Sequence, residues 1–429
     1  MYKQLAAVYH KLADNPIVAA CGKLYLRGLP IGNLRAFLRL KKHAKCATPD
    51  GGPIVVVFLQ QNKVNWDCIR DLYEMMSADS RFDAHILAVD EQHDLVPDAA
   101  YSNLVSLYGP SNVIKAEQPD GLFDLKTLGP DYVFLPRPYD QYLPVQYRSA
   151  TIASYARVVY IPYGFLLSKN VEEDVLSGRF CRNVALMLAD SSHTAALQKK
   201  RFPKSHALGL RRTVVTGYPY FARFTKQRQQ QRNQSKPFRI MWTPRWASEQ
   251  TLGGSNFMQW RESVFSFVEA HEEISLIFRP HPFMFEHLLS TGKMTKDEIS
   301  SLLLRINNHP RMSFDDTPAL DDSFSATDLL LTDISSIIIP YMLTGKPVIY
   351  CETGAELNPI GCSMRDALYY ADSFEDAKKH IESISAGDDP MRIKRDSFVR
   401  SELLANGTNP SIMIINCLLE DFSRLHSVH

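Results

Sequence analysis

Residues 329–352 read LLLTDISSIIIPYMLTGKPVIYCE. A strand is predicted at 328–331, a polar break at Thr332-Asp333-Ile334-Ser335-Ser336, a helix from about Ile334 to the glycine of TGKP at 344–347, and a second strand at 347–350. Two strands joined through a helix run parallel, since parallel pairing needs a long crossover. The Gly-Lys pair is no P-loop: Pro347 stands where that motif needs Ser or Thr, and its upstream glycine is missing. It reads as a helix end with a glycine cap before the next strand.

The same alternation extends outward. Strands are predicted at 238–242, 274–278 and 312–314, with a helix near 256–270. Before them TKQRQQQRNQSKP, 225–237, is almost free of apolar residues and reads as a linker. Earlier still come strand candidates at 53–59, 84–89, 132–136, 157–162, 184–190 and 213–217, and a helix at 64–76. Short apolar runs alternating with helical periods indicate an α/β protein, each half a Rossmann-like domain with a parallel sheet covered on both faces. The expected organisation is an arm at 1–50, a first domain at 51–225, a linker at 226–237, a second domain at 238–400 and a C-terminal helix at 401–429.

The 429 residues carry a net charge of +1, without the basic excess of a dedicated nucleic-acid binder, so no nucleic-acid partner is expected. Seven scattered cysteines form no C-x-x-C pair, which points to reduced thiols and no zinc site. No apolar stretch is long enough to span a bilayer, and no secretory signal pattern is present, so a cytoplasmic or peripheral location is expected. The charge is unevenly spread: the first 50 residues hold nine Lys/Arg against two Asp. NLRAFLRLKKHAK, 33–45, sets Leu34, Phe37 and Leu38 at helical spacing beside five cations. Such a basic helical arm suits an anionic membrane surface, or equally a helix packed on the protein with a solvated basic face.

Polar residues collect where the strands of the second half end: Thr243-Pro244-Arg245-Trp246, Arg279-Pro280-His281-Pro282, Thr332 to Ser336, and Cys351-Glu352-Thr353. In an open parallel sheet these ends lie along one edge, where such sheets bind ligands. Taken singly, each reads as a cap or turn; together they read as a site. Asp333 or Thr332 is expected to cap the following helix, with the Ser335 and Ser336 hydroxyls in its first turn beside free N–H groups. That is a seat for a diphosphate, with Arg279, Arg245 and His281 near it. The plain alternative is an Asp/Ser cap on a core helix.

TDISS followed by GKPVIYCE, preceded by RPHP (279–282), WTPRW (242–246) and TGYP (216–219), resembles the CDP-glycerol glycerophosphotransferase family, the teichoic-acid-polymerase-like transferases of GT-B fold. PDYVFLPRPYDQYLPVQYR (130–148) and YIPYGF (160–165) extend the likeness into the first domain; residues 1–50 carry none of it. The resemblance implies two Rossmann-like domains facing across a cleft, a nucleotide-linked donor (CDP-glycerol) on the second domain, and a surface-polymer or lipid-linked acceptor on the first. It implies that Ser335, Ser336, Arg279 and His281 hold the donor diphosphate, that Thr243, Arg245 and Asp333 adjoin it, and that Glu352 meets the ribose. It also implies a C-terminal helix crossing back to the first domain. No obligatory metal or other cofactor is expected, because no aspartate pair follows a first-domain strand.

One departure concerns the base. Many members carry a His-Gly-Thr-Pro motif whose histidine is assigned that role, whereas here Pro162-Tyr163-Gly164 stands at the corresponding turn. Candidates for taking a hydroxyl proton are then Asp140, Tyr163, His193 and His281, with Tyr163 and Gly164 on the acceptor side. Three readings follow: transfer of a polyol phosphate from a CDP donor, nucleotide-sugar transfer in capsule or surface-polysaccharide synthesis, or a non-catalytic nucleotide-binding scaffold.

Overall fold

β1, Ile54–Gln60, reads IVVVFLQ and is buried along almost its whole length. Its β-branched side chains suit a pleated strand, and an uninterrupted apolar run suits one covered on both faces. The computed structural model describes Leu38 and residues 52–426, apart from 62, 91–99, 136, 163, 222–223, 225–236, 247–253, 318–319 and 405–408. Apart from Leu38, the predicted arm lies outside the described residues, as do Tyr163 and nearly all of the linker.

β1 pairs in parallel with β2 (Phe82–Ala88), which pairs with β3 (Val113–Lys115). A small antiparallel pair, β4 (Glu117–Gln118) and β5 (Gly121–Leu122), follows. On the other side of β1 lie β6 (Tyr132–Leu135), β7 (Arg157–Tyr160), β8 (Val184–Ala189) and β9 (Arg212–Val215), all parallel. Phe58 of β1 stacks on Phe134 of β6 at 4.6 Å, and the edges of Tyr73 and Trp66 meet it at 5.5 and 6.5 Å. Those two aromatics come from the helix Lys63–Ser77 and fix it to the sheet.

The second sheet holds β10 (Phe238–Thr243), β11 (Ile274–Phe278), β12 (Met312–Phe314), β13 (Leu329–Thr332), β14 (Val348–Cys351) and β15 (Tyr369–Ala371), in the order β12-β11-β10-β13-β14-β15. All its pairs are parallel. Trp242 at its centre meets Phe265 and Phe257 of the helix Phe257–Ala270, each at 5.7 Å. The helix Lys296–Asn308 starts at a capping box made by Thr295 and Glu298, the T-x-x-E pattern of an N-terminus. Both sheets are Rossmann-like, and each reverses its strand order once, between β1 and β6 and between β10 and β13.

The units differ from the sequence boundaries in three places. Gly164–Glu172 and Gly217–Pro410 group with the second sheet. Ser168 bridges Leu357, and Asn358 donates its backbone N–H to Leu167 O and its amide to Leu166 O, contacts far apart in sequence. Residues 401–403 end a π-helical turn, Val399–Leu403, in the second unit, and the C-terminal helix is Pro410–His426. From Ser411 onward that helix belongs to the first unit. Its fully buried Asp421 pairs with Arg157 Nε at 2.8 Å and accepts the Tyr132 hydroxyl at 3.0 Å.

Candidate functional site

The β10/β13 reversal is where connections leave a parallel sheet in opposite directions and open a crevice at the carboxyl ends of the strands. A rung at the carboxyl ends of β10 and β13 runs Thr243, Thr332, Tyr350, Tyr370 across β10, β13, β14 and β15. Residues in register share a face, and the Thr243 hydroxyl donates to the Thr332 hydroxyl at 2.7 Å. Thr243 is thus a buried brace between two strands, not a free diphosphate donor, as the sequence had implied.

Beyond that rung, hydrogen bonds tie four loops together. The His281 N–H donates to Pro244 O at 3.0 Å, and Arg245 donates its own N–H to Asp333 Oδ2 at 2.9 Å and Nη1 to Ile334 O at 3.1 Å. The buried Asn256 gives its amide to Asp333 Oδ1 at 3.2 Å and to Glu352 O at 2.9 Å. Asn256 and Ser255, which donates to Asp333 Oδ2 at 2.9 Å, had not been singled out from the sequence. Their only sequence signal is a Ser-Asn pair at a helix start, which is common to ordinary caps.

Asp333 corrects the expectation. The following helix is Ile338–Leu343, with Ile337 at its N-cap and no side-chain cap, so Asp333 caps nothing there. Its carboxylate faces inward, fully buried, and receives Arg245, Ser255 and Asn256. Burial outweighs those hydrogen bonds and pushes its pKa up to about 6. It organises the loops and is turned away from any anion.

Ser335 and Ser336 precede the helix and do not form its first turn. Ser335 is half-buried and its Oγ accepts the Ile337 N–H at 3.4 Å; Ser336 is exposed, and its hydroxyl meets no hydrogen-bond partner among the described residues. Gly164, expected on the acceptor side, lies in the same unit: a Cβ there would stand 3.7 Å from Ser336 Oγ.

Arg279 is another correction. Its Nη1 pairs with Asp315 at 2.6 Å and also meets Thr317 and Ser323, while Nη2 donates to Thr317 O. The guanidinium therefore holds the 315–323 loop. Arg245 also lies at the strand ends, and its Nε is buried with no partner among the described residues. Burial lowers the Arg245 pKa, and the Asp333 carboxylate opposes that change.

His281 Nδ1 accepts the Phe283 N–H at 3.2 Å. Burial, and then the Arg245 charge, push its pKa down to about 4, so the ring is neutral at pH 7. With Nδ1 accepting, the proton sits on Nε2, which has no partner among the described residues and is a donor. That tautomer suits a hydrogen bond to an anion and not the base expected of it. Glu352 Oε1 accepts the N–H groups of Thr353 and Gly354 at 2.9 and 2.6 Å and closes its own turn.

Asp140, in the first unit, gives both oxygens to Ser149, accepting its N–H at 2.7 Å and its hydroxyl at 2.6 Å. Asp140 therefore ties its turn to the first residue of the helix Ser149–Ile152, and the expectation of a free base there is corrected accordingly. A cavity of about 230 Å³ in the same unit is lined by Phe123, Lys126, Tyr147 and Tyr155, residues that precede β6 and β7, and holds none of the candidate groups.

Residues 179–356 match the family CDP-Glycerol:Poly(glycerophosphate) glycerophosphotransferase. No curated protein sequence matches the chain. Among solved structures, a Listeria monocytogenes protein assigned as a UDP-N-acetylglucosamine 2-epimerase is similar with a TM-score of 0.57 and 12% identity, over 87% of this chain and 98% of that one. S. aureus MnaA in complex with UDP gives 0.52 and 13%, over 86% and 96%. A variant of the wall teichoic acid polymerase TagF soaked with CDPG gives 0.51 and 12%, over 92% and 99%. At these identities the likeness is one of fold, the paired Rossmann-like scaffold of GT-B enzymes. The motifs quoted from the second half, from TGYP (216–219) to GKPVIYCE (345–352), fall within residues 179–356, the span over which the chain matches this family.

Proposed function

We propose that this protein transfers a glycerol-phosphate unit, or a similar polyol phosphate, from a CDP-linked donor to a hydroxyl of a cell-surface polymer or its primer. The observation that carries this reading is the family match over 179–356, a span that contains Arg245, His281, Ser335 and Ser336. The fold shared with TagF, whose solved variant was soaked with CDPG, supports the choice of donor.

In such a transfer the acceptor oxygen attacks the phosphorus that bears glycerol and the hydroxyl proton is released. The bond from that phosphorus to the bridging oxygen breaks, and CMP leaves with the electron pair. Negative charge grows on the CMP phosphate. Arg245, the Nε2–H of His281 and the two serine hydroxyls are donors of the kind that stabilise it, each worth about 3 kcal/mol if fixed in place beforehand. Glu352 is the proposed contact for the ribose hydroxyls through the part of its carboxylate outside its own turn.

The test is CMP release from CDP-glycerol with a glycerol-phosphate oligomer as acceptor, run beside UDP-linked sugars. Product lengthened by glycerol phosphate supports the reading. Consumption of a UDP-sugar instead would replace it with nucleotide-sugar transfer, and binding without turnover would favour a scaffold. We further propose peripheral attachment to the inner face of the membrane through residues 1–50. Deleting them is expected to release the protein from anionic liposomes, as raised salt does; equal sedimentation of the shortened chain would refute the attachment.

A further inference from the structure

Tyr350 is fully buried, and its hydroxyl has no hydrogen-bond partner among the described residues. A phenol in that position carries the full desolvation cost of an unmade hydrogen bond, and natural proteins rarely leave such a group without a reason. Its place in the sheet supplies one. Tyr350 pairs with Thr332, which pairs with Thr243, so it shares their face near the strand-end loops. The charges that act on it are Glu352, Asp333 and Arg365, and it acts in turn on Arg245. Arg245, two residues beyond Thr243, carries another donor with no partner among the described residues, its buried Nε. Two buried donors whose charges interact, without an acceptor among the described residues and at the topological switch point, call for a ligand that supplies one. Both Asp333 oxygens already receive other groups.

We propose that the Tyr350 hydroxyl and Arg245 Nε donate together to an anionic phosphate oxygen of the nucleotide-linked substrate, making Tyr350 a binding residue at the inner end of the donor site. The inference rests on the donor-binding reading above and adds a residue to it. Burial and the nearby carboxylates raise the Tyr350 pKa well above its ordinary value, so the hydroxyl keeps its proton and remains a donor at neutral pH.

The experiment is Tyr350→Phe, which removes one oxygen and keeps the ring. Melting temperature and calorimetric affinity for CDP-glycerol, CDP, UDP and inorganic phosphate are measured on the same preparation. The expected result is a melting temperature equal to or above that of the parent, because an unpartnered hydroxyl leaves the core, with affinity for the bound ligand reduced about tenfold or more. Repeating the substitution in an Arg245→Lys background, which keeps the charge and loses Nε, is expected to cost less than in the parent, since both groups serve one oxygen. Unchanged affinity in Tyr350→Phe, or a lowered melting temperature with unchanged affinity, overturns the inference and marks the hydroxyl as structural. Additive losses overturn the shared oxygen. If the parent binds UDP but no cytidine ligand and Tyr350→Phe weakens UDP, the CDP reading falls and this inference stands. A parent that binds none of the four ligands overturns both.

Discussion

Replacing Asp333 by Asn tests the electrostatic centre of the candidate site. The carboxyl is fully buried among hydrogen-bond donors, with a pKa of about 6 against an ordinary 3.8. Because the folded state holds the proton more tightly than the unfolded chain, the stability it contributes is complete below pH 3.8. That stability is lost as the pH rises through 6. The gap converts to about 3 kcal/mol. Asparagine does not titrate and has one acceptor oxygen, so Asn256 Nδ2 loses the partner it has at 3.2 Å. At pH 4 Asp333→Asn is expected to be less stable than the parent by about 1–2 kcal/mol. By pH 8 the difference is expected to have moved about 3 kcal/mol in the variant's favour, so that the two cross near pH 5–6. Denaturant unfolding at intervals from pH 4 to 8, followed by tryptophan fluorescence, measures it. Three of the four tryptophans, Trp242, Trp246 and Trp260, lie in the second unit, so the signal reports mainly on the unit that holds Asp333. Parallel stability curves, or a parent that gains on the variant as pH rises, would show that Asp333 is not held protonated by burial.

Three further outcomes are expected. His281→Ala should cut turnover about 100-fold with a near-normal melting temperature, and the parent's turnover should show no inflection from His281 between pH 6 and 7, because that ring titrates near 4; loss of activity that tracks unfolding would assign His281 a structural role. Ser335→Ala combined with Ser336→Ala should abolish calorimetric donor binding while the melting temperature holds, since the one hydrogen bond their hydroxyls make among the described residues is the 3.4 Å contact to Ile337 N. Donor affinity equal to the parent's would remove the serines from the site. Asp421→Ala should destabilise the first unit by about 3–5 kcal/mol in denaturant melts, because it leaves Arg157 buried without its counter-charge; a loss under 1 kcal/mol would mean the helix Pro410–His426 is held by its apolar face alone.

The central strands were legible because they are buried on both faces and read as apolar runs. The stretch predicted at 238–242 is β10, Phe238–Thr243, and the one at 274–278 is β11. β3 and β15, edge strands of three residues, were not predicted, whereas β12, equally short, was predicted at 312–314; three residues are too few for a period to decide either way. Sequence also gave the loops that make the candidate site, because polar residues after buried strands stand out against their surroundings. It did not give the task of each side chain in those loops. Arg279, Asp333 and Asp140 have residue types that suit a phosphate site or a base, yet Arg279 meets a carboxylate 36 positions away and Asp333 meets donors 77 to 88 positions away. Asp140 closes on Ser149, nine residues on. Those pairings follow from strand order, in which β10 lies beside β13 and not beside its successor on both sides. Local sequence fixes the backbone period and the chemistry available at each position, whereas which donor finds which acceptor is decided when the sheet brings distant loops to one edge, because hydrogen bonds act only over about 3 Å.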